Sequence, residues 1–187
     1  MRSLRLKILI FINLICLGAT GQRYDFVKVL PGTGIVFNND SILLGSTSIK
    51  RVCRIFNVKD NPNKFQMTMW DGEDEKSELS GIDFSKDIIY KSITFEFSDK
   101  VDRNNLKLTS IKLKADKSLK IYTDNGLIIG MTNPDIKELF PIFKKPDYIS
   151  EDKLKYGLYT YGIHLQLDKL PNDDLMLTEI LINRMTK

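Results

Sequence analysis

The sequence predicts an α+β protein: two tandem ββα-plus-strands repeats, each an antiparallel sheet with one helix packed on one face. Three observations carry this expectation. Val36–Gly45 aligns without a gap on Ile121–Gly130, each an aliphatic–aromatic start, a polar turn, three aliphatics and a glycine. A cap-like residue and apolar residues at helical spacing follow in both copies. Strands with one apolar face then close each copy, and the matching blocks come in the same order.

Taken from the N-terminus, residues 1–21 combine Arg2, Arg5 and Lys7, a short apolar run and the small residues Ala19 and Gly21. These are the parts of a secretory signal peptide. The run is short for a bilayer span, which needs about 20 apolar residues, so no transmembrane segment is expected after cleavage. Cys16 lies inside the run, and Ile15 occupies the place where a lipobox has a small residue, so no lipid anchor is expected. Cys53 is then the only mature cysteine, which rules out an internal disulfide. The chain has 28 basic and 24 acidic residues. With the three leader basics removed it is near neutral, which argues against a nucleic-acid partner.

The N-terminal segment, residues 22–35, contains YDFVKVL (Tyr24 to Leu30), read as an edge strand. Repeat 1 spans residues 36–113. Its turn is placed at Asn39-Asp40-Ser41, and its helix is capped by Thr47 or Ser48. Ile49, Val52, Cys53 and Phe56 form the apolar face of that helix. An acidic insertion, residues 57–89, follows. Ile93, Phe95 and Phe97 then alternate, and in LKLTSIKL (Leu106 to Leu113) the apolar parity flips at Thr109, as at a bulge.

Residues 114–120 form a basic linker, part of a solvated charge run. Repeat 2 spans residues 121–187. Asn125-Gly126 signals a two-residue hairpin, and Asn133 with Pro134 opens a second helix carrying Ile136, Leu139, Phe140 and Phe143. Tyr161, Ile163, Leu165 and Leu167 match Tyr90 and the strand after it. Thr178, in LMLTEILI (Leu175 to Ile182), repeats the parity flip of Thr109.

Function is expected where the copies differ. The insertion holds the only tryptophan, Trp70, beside Asp71, Glu73, Asp74, Glu75 and Glu78. An aromatic anchor rimmed by carboxylates suits a basic protein surface. The spacing of these acids does not fit an EF-hand, so no metal is expected. The only histidine, His164, falls on the polar side of its strand, and Cys53 falls on an apolar helix face that raises a thiol pKa. With no nucleophile elbow, P-loop, zinc pattern or dinucleotide fingerprint, neither catalysis nor a cofactor is expected. A hydrolase built on carboxylates such as Asp71 and Glu73 is the enzymatic alternative. Asp40-Ser41-Ile42 also resembles the acceptor for O-glycosylation in Bacteroidetes-type bacteria, which marks Ser41.

LIIGMTNPDIKELF, with Gly130, Met131 and Thr132 leading into an amphipathic series, resembles two exported families. These are the BamE/SmpA-type outer-membrane assembly lipoproteins and the secreted β-lactamase inhibitor proteins. The first copy shares only Gly45 and Thr47 of this pattern. Asn57 and Lys144 stand where the families place a glycine after the helix, and neither the lipobox nor the cysteine pairs are present. The resemblance implies a protein-binding role at the periplasm or cell surface; with the missing catalytic motifs and the acceptor pattern at Ser41, the expectation is a non-enzymatic protein of a Gram-negative, Bacteroidetes-like bacterium. Its sharpest form is an inhibitor or immunity protein whose partner is a toxin or enzyme with a basic surface. An envelope assembly or scaffold factor is the alternative.

Overall fold

The computed structural model describes residues 25–61, 63–70, 81–100, 102–132, 148–151, 155–160 and 162–183. In order these give β1 (Asp25–Leu30), β2 (Gly34–Phe37), β3 (Asp40–Leu43), α1 (Ile49–Phe56), β4 (Gln66–Trp70), β5 (Gly81–Tyr90) and β6 (Ile93–Asp99). They continue with β7 (Lys107–Lys114), β8 (Leu119–Thr123), β9 (Tyr148–Ile149), β10 (Lys155–Thr160), β11 (Ile163–Lys169) and β12 (Leu175–Asn183).

The expected α+β fold, with one sheet and one helix per repeat, is overturned. The protein is mostly β, with α1 as the one helix among the described residues. The second expected helix, opened by Asn133 and Pro134, lies outside the described residues. The strands form two sheets, ordered β3-β2-β1-β8 and β4-β5-β6-β7-β12-β11-β10-β9. The physical reason is edge pairing. β7 and β12 join antiparallel, from Glu179↔Lys114 to Asn183↔Ser110, so the strands expected to close two separate sheets are fused into one. The hairpins that were to begin each repeat leave that sheet. β2 and β8 instead flank β1, with β8 parallel to it from Asp25↔Leu119 to Val29↔Thr123. The strand read as an edge is therefore interior to the small sheet.

Around the β7–β12 pair the large sheet has the same geometry twice. Phe97 faces Leu108 while Glu96 faces Ser110, which leaves Thr109 as the extra residue of a bulge. Leu167 faces Leu177 while Gln166 faces Glu179, which leaves Thr178 in the same role. Each threonine hydroxyl donates to the carbonyl across the bulge, Glu96 O at 3.2 Å and Gln166 O at 3.3 Å. The Gly45 N–H donates to Leu108 O (2.7 Å), and the Gly130 N–H donates to Leu177 O (2.9 Å). Tyr90 faces Ile93 across its turn and Thr160 faces Ile163, so the counterpart of Tyr90 is Thr160 and not Tyr161.

Alternation fills the core. Ile93, Phe95, Phe97, Leu108, Ile111 and Leu113 are buried, as are Ile163, Leu165, Leu167, Leu177, Ile180 and Ile182. Val27, Val29, Ile35, Phe37 and Ile42 of the small sheet join the same cluster. Helix α1 closes it with Val52 and Phe56. Ser48 Oγ accepts the Arg51 N–H at 3.3 Å, and Asn57, at φ 51°, ends the helix in the left-handed region.

Asp25 ties the start of β1 to the turn between β5 and β6. Its carboxylate accepts from Lys91 Nζ at 2.7 Å and from Tyr90 Oη at 3.1 Å. The Lys91 bond is the main reason its pKa lies below the ordinary 3.8, and burial opposes it. A lowered carboxylate pKa adds stability above 3.8 that is lost as pH falls through the folded value. Lys91 is raised above 10.5 by the same bond, so its contribution holds at neutral pH and fades in strong base. Asp25→Asn should cost about 1 kcal/mol at pH 7. Urea unfolding should show the gap to wild type narrowing below pH 3.8; a gap independent of pH would remove the carboxylate from the explanation.

Candidate functional site

The face of the large sheet opposite the core carries the polar half of each alternating strand. Register arranges it in rows. Asp87 faces Glu96, Glu96 faces Ser110, and Ser110 faces Asn183. In a neighbouring row Thr94 faces Lys112, Lys112 faces Leu181, and Leu181 faces His164. A third runs Lys114–Glu179–Gln166. At the centre, Glu179 is 3.5 Å from Lys114 Nζ and 3.9 Å from Lys112 Nζ, so its charge is answered within the sheet.

The first row is different. Asp87 and Glu96 are directly opposite on adjacent strands. They border a depression of about 200 Å³ whose other walls are Gln66, Ser85, Thr94, Ser110 and Lys112. Ser110 Oγ donates to Glu96 Oε2 at 2.6 Å. Thr109 Oγ1 accepts from Ser98 Oγ at 3.0 Å and donates its own hydrogen bond to Glu96 O, so the bulge holds the β6 side of the depression. Asp87 is exposed overall, yet partial burial is still the strongest influence on its carboxyl and pushes the pKa up. The charge of Glu96 pushes the same way, while Lys112 and Lys64 oppose both. Like charges directly opposite on neighbouring strands destabilise a sheet, by up to about 1 kcal/mol.

Of the residues the sequence points to, Trp70 ends β4 with its backbone paired to Gly81 at the end of the large sheet. Asp71, Glu73, Asp74, Glu75 and Glu78 lie outside the described residues. Ser41 is exposed on β3, where its carbonyl accepts from Arg51 Nη2 at 3.5 Å. His164 sits half-buried between buried Ile163 and Leu165, on the polar face as alternation predicts. Cys53 is half-buried, and burial, ahead of the charge of Asp60, raises its thiol pKa.

Within the stretch read as an insertion, β5 is an integral strand between β4 and β6, and the loop before β4 is pinned from beneath. Lys86, 5% exposed, pairs with the Asp60 carboxylate, donates to Asn61 O at 2.6 Å and lies 5.0 Å from the centre of the Phe65 ring. Asp87 and Glu96 are the residues sequence reasoning missed. Among the described residues no group of three His, Cys, Asp or Glu is placed to hold a metal, and no helix is long and apolar enough to cross a membrane.

Among the described residues these features define a mostly-β, two-sheet chain whose large sheet carries one polar face. No family model, curated protein or solved structure matches the chain.

Proposed function

We propose that the chain is an exported, non-enzymatic protein-binding module that engages a basic partner surface through the open face of the large sheet, with Asp87 and Glu96 at the contact. The observation that carries this reading is the pair of carboxylates set directly opposite each other on β5 and β6, with Lys112 and Lys64 opposing their repulsion at Asp87. A fold gains nothing from two acids placed directly opposite, and local conflicts of this kind are expected at functional positions. A lysine or arginine entering the depression would relieve the repulsion and gain charge-assisted hydrogen bonds. An inhibitor or immunity role is the sharpest form of the reading, in keeping with the resemblance of Gly130–Thr132 and the residues after it to the secreted inhibitor proteins.

The test separates binding from folding. Asp87→Asn removes the repulsion, so it should raise stability slightly at pH 7, by up to about 1 kcal/mol and less in high salt. It should also weaken capture of an envelope partner, and Asp87→Lys with Glu96→Lys should abolish it. Capture should decline as salt rises. Capture that survives the double lysine variant at full strength would overturn the assignment.

A further inference from the structure

The loop that follows β8, Asp124-Asn125-Gly126, is exposed at all three residues and holds the only Asn-Gly pair in the chain. Asparagine is a thermolabile side chain, and it is most vulnerable before glycine, where no Cβ hinders the next backbone nitrogen. Every other asparagine precedes a residue with a Cβ, and two of them, Asn61 and Asn133, precede a proline that has no N–H.

The surroundings of Asn125 add a second feature. Thr123, 5% exposed, closes the loop from beneath. Its N–H donates to Leu127 O at 2.9 Å, and its Oγ1 accepts the Leu127 N–H at 3.0 Å. The hydroxyl proton is thereby directed to Asn125 Oδ1, its other acceptor, Leu127 O, lying farther off at 3.5 Å. The Gly126 N–H donates to Thr123 O at 3.1 Å, so the asparagine and the glycine are held in one tight turn over the threonine.

From this geometry we infer that Asn125 is a self-modification site, losing its side-chain amide through a succinimide in the folded chain, with the Thr123 hydroxyl promoting ring closure.

The exposed bond from Gly126 to Thr123 O opens first. The Gly126 nitrogen gives its proton to hydroxide and bonds to Asn125 Cγ, an intramolecular attack that needs no encounter. Negative charge gathers on Oδ1, the atom to which Thr123 already donates. The bond from Cγ to Nδ2 then breaks, and Nδ2 takes a proton from water and leaves as ammonia. Water opens the five-membered ring at either carbonyl, which leaves aspartate or isoaspartate at position 125. Either product sets a new carboxylate beside Asp124, whose charge is paired with Lys28 at 2.7 Å. Isoaspartate also lengthens the backbone by one carbon just before the fully buried Leu127, so that product is the less stable one.

Folded protein held in mildly alkaline buffer and digested at intervals tests the inference, with peptide masses and methylation by an isoaspartate-specific methyltransferase as readouts. Asn125 should convert before every other asparagine, and faster as pH rises. Thr123→Val should slow conversion about fivefold in the folded chain, the worth of one hydrogen bond, and leave it unchanged in urea, where the turn is lost. Thr123→Ser should restore the wild-type rate. A Thr123→Val chain that converts as fast as wild type, or faster, overturns the inference. So does an Asn125 that stays intact in the folded wild type under alkaline conditions that convert it in urea, a comparison that still decides should Thr123→Val not fold.

Discussion

Gly34→Ala should destabilise the protein by about 3 kcal/mol or more, and Gly130→Ala by only about 1–2 kcal/mol. Both glycines have positive φ, +150° and +100°, a region L side chains rarely adopt. Their surroundings differ. A Cβ on Gly34 would lie 2.1 Å from the carbonyl oxygen of Ile42 and 3.0 Å from the Cα of Leu43. These are backbone atoms of the partner strand, since Gly34 faces Leu43 in the β2–β3 ladder. No rotamer change relieves such a contact, so β2 and β3 must separate, and the buried pair Ile35–Ile42 beside them is disturbed. A Cβ on Gly130 meets nothing within 4 Å and leaves only the backbone strain. Urea unfolding of the two variants isolates the clash; equal shifts in midpoint would show that φ alone sets the cost.

Local features of this fold are written in the sequence, and the pairing of strand edges is not. The parity flips at Thr109 and Thr178 are the two bulges, because a one-residue insertion must exchange the faces beyond it. The face read for the helix is also found: Val52 and Phe56 are buried, with Ile49 and Cys53 packed against them. Alternation, however, states which side of a strand is apolar and not which strand lies beside it. Nothing in LKLTSIKL or LMLTEILI announces that β7 and β12 pair with each other.

The gapless match of Val36–Gly45 to Ile121–Gly130 also slips. From Ile42/Leu127 to Gly45/Gly130 the positions correspond, with Ile42 and Leu127 both fully buried. In the leading strand Phe37 is buried while Tyr122 is only half-buried. The loops differ, Asn38-Asn39 in the first copy and Asp124-Asn125-Gly126 in the second, where Gly126 N–H donates to Thr123 O. The turns read at Asn39-Asp40-Ser41 and at a two-residue Asn125-Gly126 are corrected accordingly.

The carboxylate pair was within reach of the sequence. A two-residue turn at Lys91-Ser92 sets Tyr90 opposite Ile93, and counting back from that pair puts Asp87 opposite Glu96. Isolated acids on the polar side of a strand read as ordinary solvent-facing residues, so the conflict shows only once the register is known.

Phe56→Ala is expected to cost about 3–5 kcal/mol, a large share of the roughly 5–15 kcal/mol that stabilises a domain. Phe56 is 5% exposed, and its ring centroid lies 4.5 Å from that of Phe37, 4.7 Å from Tyr90 and 4.9 Å from Phe95. One side chain therefore ties α1 to β2 of the small sheet and to β5 and β6 of the large one. An eight-residue helix is too short to persist without tertiary contacts, so removing this anchor both opens a cavity and loosens the helix. Amide exchange should accelerate across Ile49–Phe56 more than across β11 and β12. Arg54→Ala, in the same helix but on its exposed side, should stay within about 0.5 kcal/mol of wild type. A loss below 1 kcal/mol for Phe56→Ala would mean that the two sheets hold together without the aromatic cluster. Asp87 and Glu96 lie on the opposite face of the large sheet, so the folded fraction of Phe56→Ala should still capture a partner bound as proposed through that pair. If that folded fraction fails to bind, the contact surface belongs at the helix and not at the carboxylate pair.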